Sequence, residues 1–279
     1  MKTDTLSLID TVRCPTCGDR VMLHDDRVMR CLGPRTHCFD MAAEGYVNLN
    51  AAAHTKGDTP DAVRARTSFL NTGAYEPIAR AVADALRKYV APQATVLDAG
   101  CGEGYYSCYL ARNDYSVCGV DLSKTGVRTA AKRAKHEGLR QTQFIVGNLN
   151  RLPLGDECFD AAVNIFAPCM ESELTRILKP GGVLCVVYAG PEHLLGLKQR
   201  LYQQIYLNEE RADMPKSMVC AETVPVTYEI LVKGHEQIMN LFSMTPYYWR
   251  TSPHDRKMLE HAEELSSAVD VRIGIYKKL

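Results

Sequence analysis

Val96-Leu97-Asp98-Ala99-Gly100-Cys101-Gly102-Glu103-Gly104 reads as an apolar strand closed by an acid, followed by a loop with glycine at every second position. Tyr105 then opens a helix over 105–112. A strand-to-helix turn of this kind lets the backbone approach a ligand closely, because glycine alone carries no Cβ to hold it off. A nucleotide-like cofactor is expected. The spacing then separates the candidates: a dinucleotide fingerprint places its third glycine three residues after the second, where this chain has Tyr105, and Gly104 comes one residue too early.

Downstream, the pattern alternates strand and helix. Strands are expected at 95–99, 116–121, 143–146, 161–166 and 183–188, with helices at 105–112, 124–137 and 171–178 between them. Strands separated by helices imply a parallel sheet with right-handed crossovers, and such a sheet binds ligands beyond the carboxyl ends of its strands. The run 223–233, a short helix over 235–244 and a last strand over 269–277 fit a closing hairpin. The D-x-G-x-G-x-G loop resembles motif I of the class I S-adenosylmethionine-dependent methyltransferases. The resemblance implies an α/β fold, a Rossmann-like and mostly parallel seven-stranded sheet, with S-adenosyl-L-methionine as cofactor.

Length and composition fit one large domain plus a small one. No run of 18 apolar residues exists and residues 1–12 lack the apolar centre of a signal peptide, so the expectation is a cytoplasmic protein that does not enter a membrane. Eleven cysteines, scattered singly from Cys101 onward, read as reduced thiols rather than a secreted disulfide framework. The 33 basic and 33 acidic residues cancel, so no global charge argues for nucleic acid. The basic face of Lys124, Arg128, Lys132 and Lys135 reads as solvated surface.

The N-terminal segment carries Cys14-x2-Cys17, a gap of 13, Cys31, a gap of five, then His37 with Cys38 adjacent. Two thiolates on a knuckle turn and a second ligand pair some 15 residues later form the layout of a zinc ribbon, whose closed tetrahedral site is structural. Metal binding supplies most of the folding energy of so short a segment. His37 and Cys38 compete for the fourth position. The segment from Cys14 through His37-Cys38-Phe39-Asp40-Met41-Ala42-Ala43-Glu44-Gly45-Tyr46-Val47-Asn48-Leu49 resembles the zinc module of the bacterial 23S ribosomal RNA guanine-N1 methyltransferases. That family's Cys, Cys, Cys, His ligand set, carried over, falls on Cys14, Cys17, Cys31 and His37, although its last gap is shorter than the five residues here.

The resemblance continues to the last strand. It divides the chain into a zinc-binding RNA-recognition module at 1–50, a linker and helix at 51–74 and a methyltransferase domain at 75–279. Phe69-Leu70-Asn71-Thr72-Gly73-Ala74-Tyr75 matches a family segment that closes over the cofactor through its tyrosine, and a π face attracts a sulfonium. Asp121, ending the second strand, suits the ribose hydroxyls, with a helix N-cap as its plainer role; Asn148 and Leu149, ending the third, suit the adenine edge or an ordinary turn. Together with Asp98, Gly100, Gly102, Glu103 and Gly104, these form the expected cofactor site. His193 in Gly190-Pro191-Glu192-His193-Leu194 joins it by resemblance, at the amino-acid end of the cofactor.

For the acceptor base, Asn164, Phe166 and Pro168 in Asn164-Ile165-Phe166-Ala167-Pro168-Cys169 lie at the end of the fourth strand. Trp249, in Met244-Thr245-Pro246-Tyr247-Tyr248-Trp249-Arg250, could stack on an extruded base or pack as core. No residue stands out as the base that removes the guanine N1 proton; Glu171 lies close by but opens a helix, where an acid is ordinary. The activity implied is N1 methylation of a guanosine in a hairpin of 23S ribosomal RNA, held by the zinc module with Arg64 and Arg66 and gripped by a homodimer. The competing activity is methylation of a small molecule, with the zinc ribbon serving dimerisation only.

Overall fold

The computed structural model describes residues 8–25, 27–50, 57–209, 215–259 and 261–279. The first part of the expected linker, 51–56, lies outside them. Strands β1 Val21–His24, β2 Val28–Cys31 and β3 Cys38–Asp40 form a small antiparallel sheet, and β4 Tyr46–Asn48 follows. Helices α1 Pro60–Leu70 and α2 Glu76–Leu86 lead into β5 Thr95–Ala99, α3 Tyr105–Arg112, β6 Ser116–Asp121, α4 Lys124–His136, β7 Thr142–Val146, β8 Phe159–Ile165 and α5 Glu171–Ile177. The chain closes with β9 Leu178–Ala189, α6 Leu195–Leu201, β10 Val219–Lys233, α7 His235–Ser243, α8 Tyr247–Arg250, α9 Pro253–Arg256 and β11 Glu264–Lys277.

The main sheet runs β10-β11-β9-β8-β5-β6-β7-β4. Its pairs are parallel from β9 through β4, and β11 alone runs against its neighbours. It has eight strands rather than the expected seven, because β4 of the N-terminal segment joins β7 in parallel, Val47 opposite Ile145. Side-chain alternation sends Val96 and Val117 to one face, against α2 and α7, and Leu97 and Cys118 to the other. Both faces are covered, as an all-parallel stack requires.

On the second face the apolar cluster also takes in Val12, Met29 and Val47, so the N-terminal segment shares the core of the large domain. Burying a side chain such as the fully enclosed Met29 contributes about 1.5–3 kcal/mol. Backbone bonds from Arg13 N to Pro153 O at 2.9 Å and Gly155 N to Thr11 O at 2.8 Å reinforce the seam. The basic face of α4 belongs partly to it: Arg128 donates to Glu44 at 2.7 Å and Lys135 to the Ala43 carbonyl at 3.0 Å. These two residues fasten the module while remaining exposed, so the face is solvated surface as expected.

Several boundaries differ from expectation, and β10 begins at Val219 and β11 at Glu264, ahead of the expected 223 and 269. β9 starts at Leu178, not at 183, because Leu178 already pairs with Phe159 and Gly181 donates to the Lys278 carbonyl; the Lys179-Pro180-Gly181-Gly182 turn is an irregular start of the strand. α6 begins at Leu195, after His193, with Leu194 in the left-handed region at φ 57°.

Candidate active site and metal centre

The loop after β5 holds Gly100, Gly102 and Gly104 at φ 90°, 52° and 80°, which only glycine adopts without strain. A Cβ on Gly100 would stand 2.6 Å from the Ala167 methyl, and one on Gly104 2.6 Å from that of Ala130. These two glycines let the loop press against the β8 exit and against α4. At Gly102 the nearest atom would be Arg66 Nη1 at 3.4 Å, so this part of the loop meets a cation and not a wall.

Two carboxylates flank the loop, Asp98 buried and Asp121 half-buried. Asp98 accepts the Ser107 hydroxyl at 2.5 Å, and burial pushes its pKa up to about 7 against that bond. Asp121 accepts the Gly102 N–H at 3.0 Å on one oxygen and the Ser123 N–H at 2.7 Å on the other; burial raises its pKa as well. The N-cap of α4 is Ser123, whose hydroxyl accepts from Gly126, so Asp121 is not the cap. It braces the glycine loop and keeps spare lone pairs for ligand hydroxyls. Glu103 is also buried and points away to Arg133, 3.8 Å distant, while Arg133 donates to Asn71 at 3.0 Å. Leu149 lies against the loop, 3.8 Å from a Cβ on Gly100, and the Asn148 side-chain Oδ1 accepts the Asn150 N–H.

Beyond β8, three rings converge. Tyr75 is fully buried, edge-on to Phe69 at 5.4 Å and 6.2 Å from the His193 ring, and Phe166 stacks on His193 at 5.6 Å and 24°. Burial lowers the His193 pKa to about 4, leaving the imidazole neutral. The Asp270 N–H donates to its Nδ1 at 3.3 Å. The Tyr228 hydroxyl holds the Ala74 carbonyl at 2.9 Å, fixing the Tyr75 backbone from the closing hairpin. Phe166 is 43% exposed at φ 52°, an uncommon conformation for a bulky residue, and presents one open ring face.

The remaining acceptor-side candidates separate. Asn164 is fully buried and donates to the Ala99 and Pro168 carbonyls at 3.1 and 3.2 Å, so it ties the β5 and β8 exits together. Pro168 is exposed. Tyr248 packs on Phe242 under the Arg256 guanidinium, whereas Trp249 is 74% exposed. Glu171 accepts the Ser217 N–H at 2.6 Å on the surface, away from these rings.

Four donors meet in the N-terminal segment. The thiols of Cys14, Cys17 and Cys31 and the imidazole of His37 all lie within 4.8 Å of one another. The Cys17 and Cys31 sulfurs are 3.6 Å apart, and His37 Nδ1 is 3.5 Å from the sulfurs of both Cys14 and Cys31. A tetrahedral zinc with Zn–S near 2.3 Å needs sulfur pairs about 3.8 Å apart, so the cluster fits. Cys38 is exposed on β3 and takes no part.

Some of these contacts had no readable signal. Ser107 is an unremarkable helix residue, and Tyr228 and Asp270 reach the site only through the register of β10 on β11.

A glycine loop at the carboxyl end of a parallel sheet, acids on two adjacent strand ends and an antiparallel closing strand define a class I S-adenosylmethionine-dependent methyltransferase, here fused to a zinc ribbon. The family model described as "Methyltransferase domain" matches residues 96–182, and the one described as "RlmA, N-terminal" matches 12–56. The 23S rRNA (guanine(748)-N(1))-methyltransferase of Streptomyces fradiae is 31% identical over 96% of both chains. A Micromonospora griseorubida protein, provisionally named a 23S rRNA (guanine-N(1)-)-methyltransferase, is 30% identical over 98% of this chain and 99% of its own. The chain belongs to the 23S rRNA (guanine-N1)-methyltransferase family.

Proposed function

We propose that this enzyme methylates N1 of a guanine in a hairpin of 23S ribosomal RNA. The observation that carries the reading is its likeness, over nearly the whole length of both chains, to a relative named for that reaction, zinc module included. No helix among the described residues is long and apolar enough to cross a membrane, which suits a cytoplasmic enzyme acting on ribosomal RNA.

When bound, S-adenosylmethionine supplies a methyl group on a sulfonium. The chain positions it: Asp121 takes the ribose hydroxyls, Asn148 and Leu149 border the adenine, and Asp98 faces the ammonium. The Tyr75 ring lies against the sulfonium, and His193 completes the amino-acid end. Phe166 offers its open face to the extruded guanine, Pro168 borders it, and Trp249 stacks on a neighbouring base. Asn164 holds these two strand exits at fixed distance, which aligns donor and acceptor for in-line transfer. The bound cofactor would supply the methyl and keep the bonding pair on its sulfur, and the guanine N1 proton would pass to solvent. Cys14, Cys17, Cys31 and His37 hold the structural zinc that shapes the RNA-binding module, and two copies grip one hairpin.

Mass spectrometry of nucleosides from 23S ribosomal RNA of cells with and without the gene tests the reading. Loss of 1-methylguanosine at one position, restored by purified enzyme on the isolated RNA, is expected. An unchanged 1-methylguanosine content would sink it.

A further inference from the structure

Arg66, expected from the sequence to hold RNA together with Arg64, has a setting that points elsewhere. It projects from α1 over the glycine loop, where Nη1 is the atom nearest to a Cβ on Gly102. Nη1 pairs with Asp58 Oδ2 at 2.5 Å. Asp58 is itself seated on the cofactor side of the sheet: its carbonyl accepts the Ser123 hydroxyl at 3.0 Å, and a Cβ on the preceding Gly57 would collide with Ser123 N at 2.4 Å. Residues 57–66 therefore form a strap across the Asp121 end of the loop, with Arg66 as its inner charge. That side chain is 27% exposed, and its other N–H groups bond no acceptor among the described residues.

The cofactor is a zwitterion at its amino-acid end. The buried Asp98 and half-buried Asp121 match an ammonium and two hydroxyls, but a carboxylate leaving water needs a cation or several donors. Among the described residues two cations act on the loop's acids. Arg133 is committed to Glu103 and Asn71. Arg66 acts on both Glu103 and Asp121, opposing the rise that burial imposes on them, and its guanidinium stands beside Gly102 and is part-exposed, whereas the unpartnered Nε of Arg133 is buried. His193 is neutral and offers no charge. A guanidinium fork suits a carboxylate better than an ammonium would, because two parallel N–H groups reach both oxygens.

We propose that Arg66 is the anchor for the carboxylate of the cofactor's amino-acid end, pre-oriented over Gly102 by Asp58. The inference rests on the placement of the cofactor site given above.

Calorimetric titration with S-adenosylhomocysteine and with 5′-methylthioadenosine, which lacks the amino-acid end, separates the roles. Arg66→Met is expected to weaken S-adenosylhomocysteine at least tenfold and to leave methylthioadenosine within twofold of wild type. Retained methylthioadenosine binding also shows that the variant's site is folded. Arg66→Lys keeps the charge and loses the fork, and falls between; Asp58→Asn weakens S-adenosylhomocysteine a few-fold. Equal losses for both ligands, or no loss for either, overturn the proposal. Wild-type protein that binds neither ligand overturns the cofactor site itself, and the anchor with it.

Discussion

The Tyr75 hydroxyl and His193 Nε2 stand 3.5 Å apart although 118 residues separate them in sequence. Because the Asp270 N–H donates to Nδ1, the neutral ring carries its proton on Nε2, directed at the tyrosine oxygen. The contact fixes the ring of Tyr75, and on the proposed placement the ring face, not the hydroxyl, would meet the sulfonium. Tyr75→Phe should therefore bind S-adenosylmethionine within about threefold of wild type. Tyr75→Leu should lose about tenfold, as expected for ~1–2 kcal/mol of desolvated cation–π attraction. The loss for S-adenosylhomocysteine, whose sulfur is uncharged, should be smaller. Paired titrations of both ligands check this, and equal losses would remove the sulfonium from the Tyr75 ring.

With Asp98 facing the cofactor's ammonium as proposed, cofactor binding should depend on pH. The Asp98 pKa is about 7 in the free protein because burial disfavours the carboxylate, and the ammonium of the ligand favours it. Below pH 7 the free protein holds a proton that binding must expel. Affinity for S-adenosylhomocysteine should rise with pH up to about 7, by at most about tenfold per unit, and level off above. The free protein behaves oppositely: a raised carboxyl pKa contributes stability that is lost as pH climbs from 3.8 to about 7. Calorimetry at pH 6 in buffers of different ionisation enthalpy should show proton release in wild type and none in Asp98→Asn. Release persisting in the variant would assign the titration elsewhere.

The strand and helix succession was legible because burial on both faces leaves uninterrupted apolar runs such as Val96-Leu97 and Val117-Cys118, punctuated by acids and glycines at the ligand end. Tyr46-Val47-Asn48 was not readable as a sheet strand, since three residues carry no period and their partner lies almost a hundred residues away. The choice between His37 and Cys38 was closed to spacing and open to geometry: adjacent residues on extended chain point to opposite sides, and His37 is the one turned towards Cys14 and Cys31. The aromatic cluster at 247–249 was ambiguous between core and stacking because it is both, with Tyr248 packed and Trp249 exposed.

Phe166 holds a left-handed backbone that costs a non-glycine residue about 1–2 kcal/mol, and much of its ring lies in solvent. Replacing it by glycine relieves that strain while losing the stacking on His193, so the two changes offset. Phe166→Gly should unfold within about 4 °C of wild type and bind S-adenosylhomocysteine within threefold. Its methylation of 23S ribosomal RNA should fall at least 100-fold, the upper end of a lost base stack worth ~1–3 kcal/mol. Trp249→Ala should raise the KM for RNA about tenfold and leave kcat within twofold. A Phe166→Gly enzyme with full activity would show that the base docks elsewhere.

The zinc module is stitched to the catalytic domain along β4 and through Val12 and Arg13, so its metal and its seam are separable. Cys17 lies on the exposed knuckle, and Cys17→Ser removes one thiolate without touching Val12, Met29 or Val47 in the shared core. Loss of the metal should loosen the β1–β3 sheet, whose folding energy is largely metal-derived, while the β4–β7 pairing persists. The variant should lose stoichiometric zinc by elemental analysis and lose RNA methylation at least 100-fold. Its binding of S-adenosylhomocysteine should stay within about threefold, because Asp98, Asp121 and Tyr75 are anchored to the large sheet and to its hairpin. Parallel loss of cofactor binding would mean that the module also holds the catalytic site in shape, and that the seam at Leu154 and Pro153 transmits its collapse.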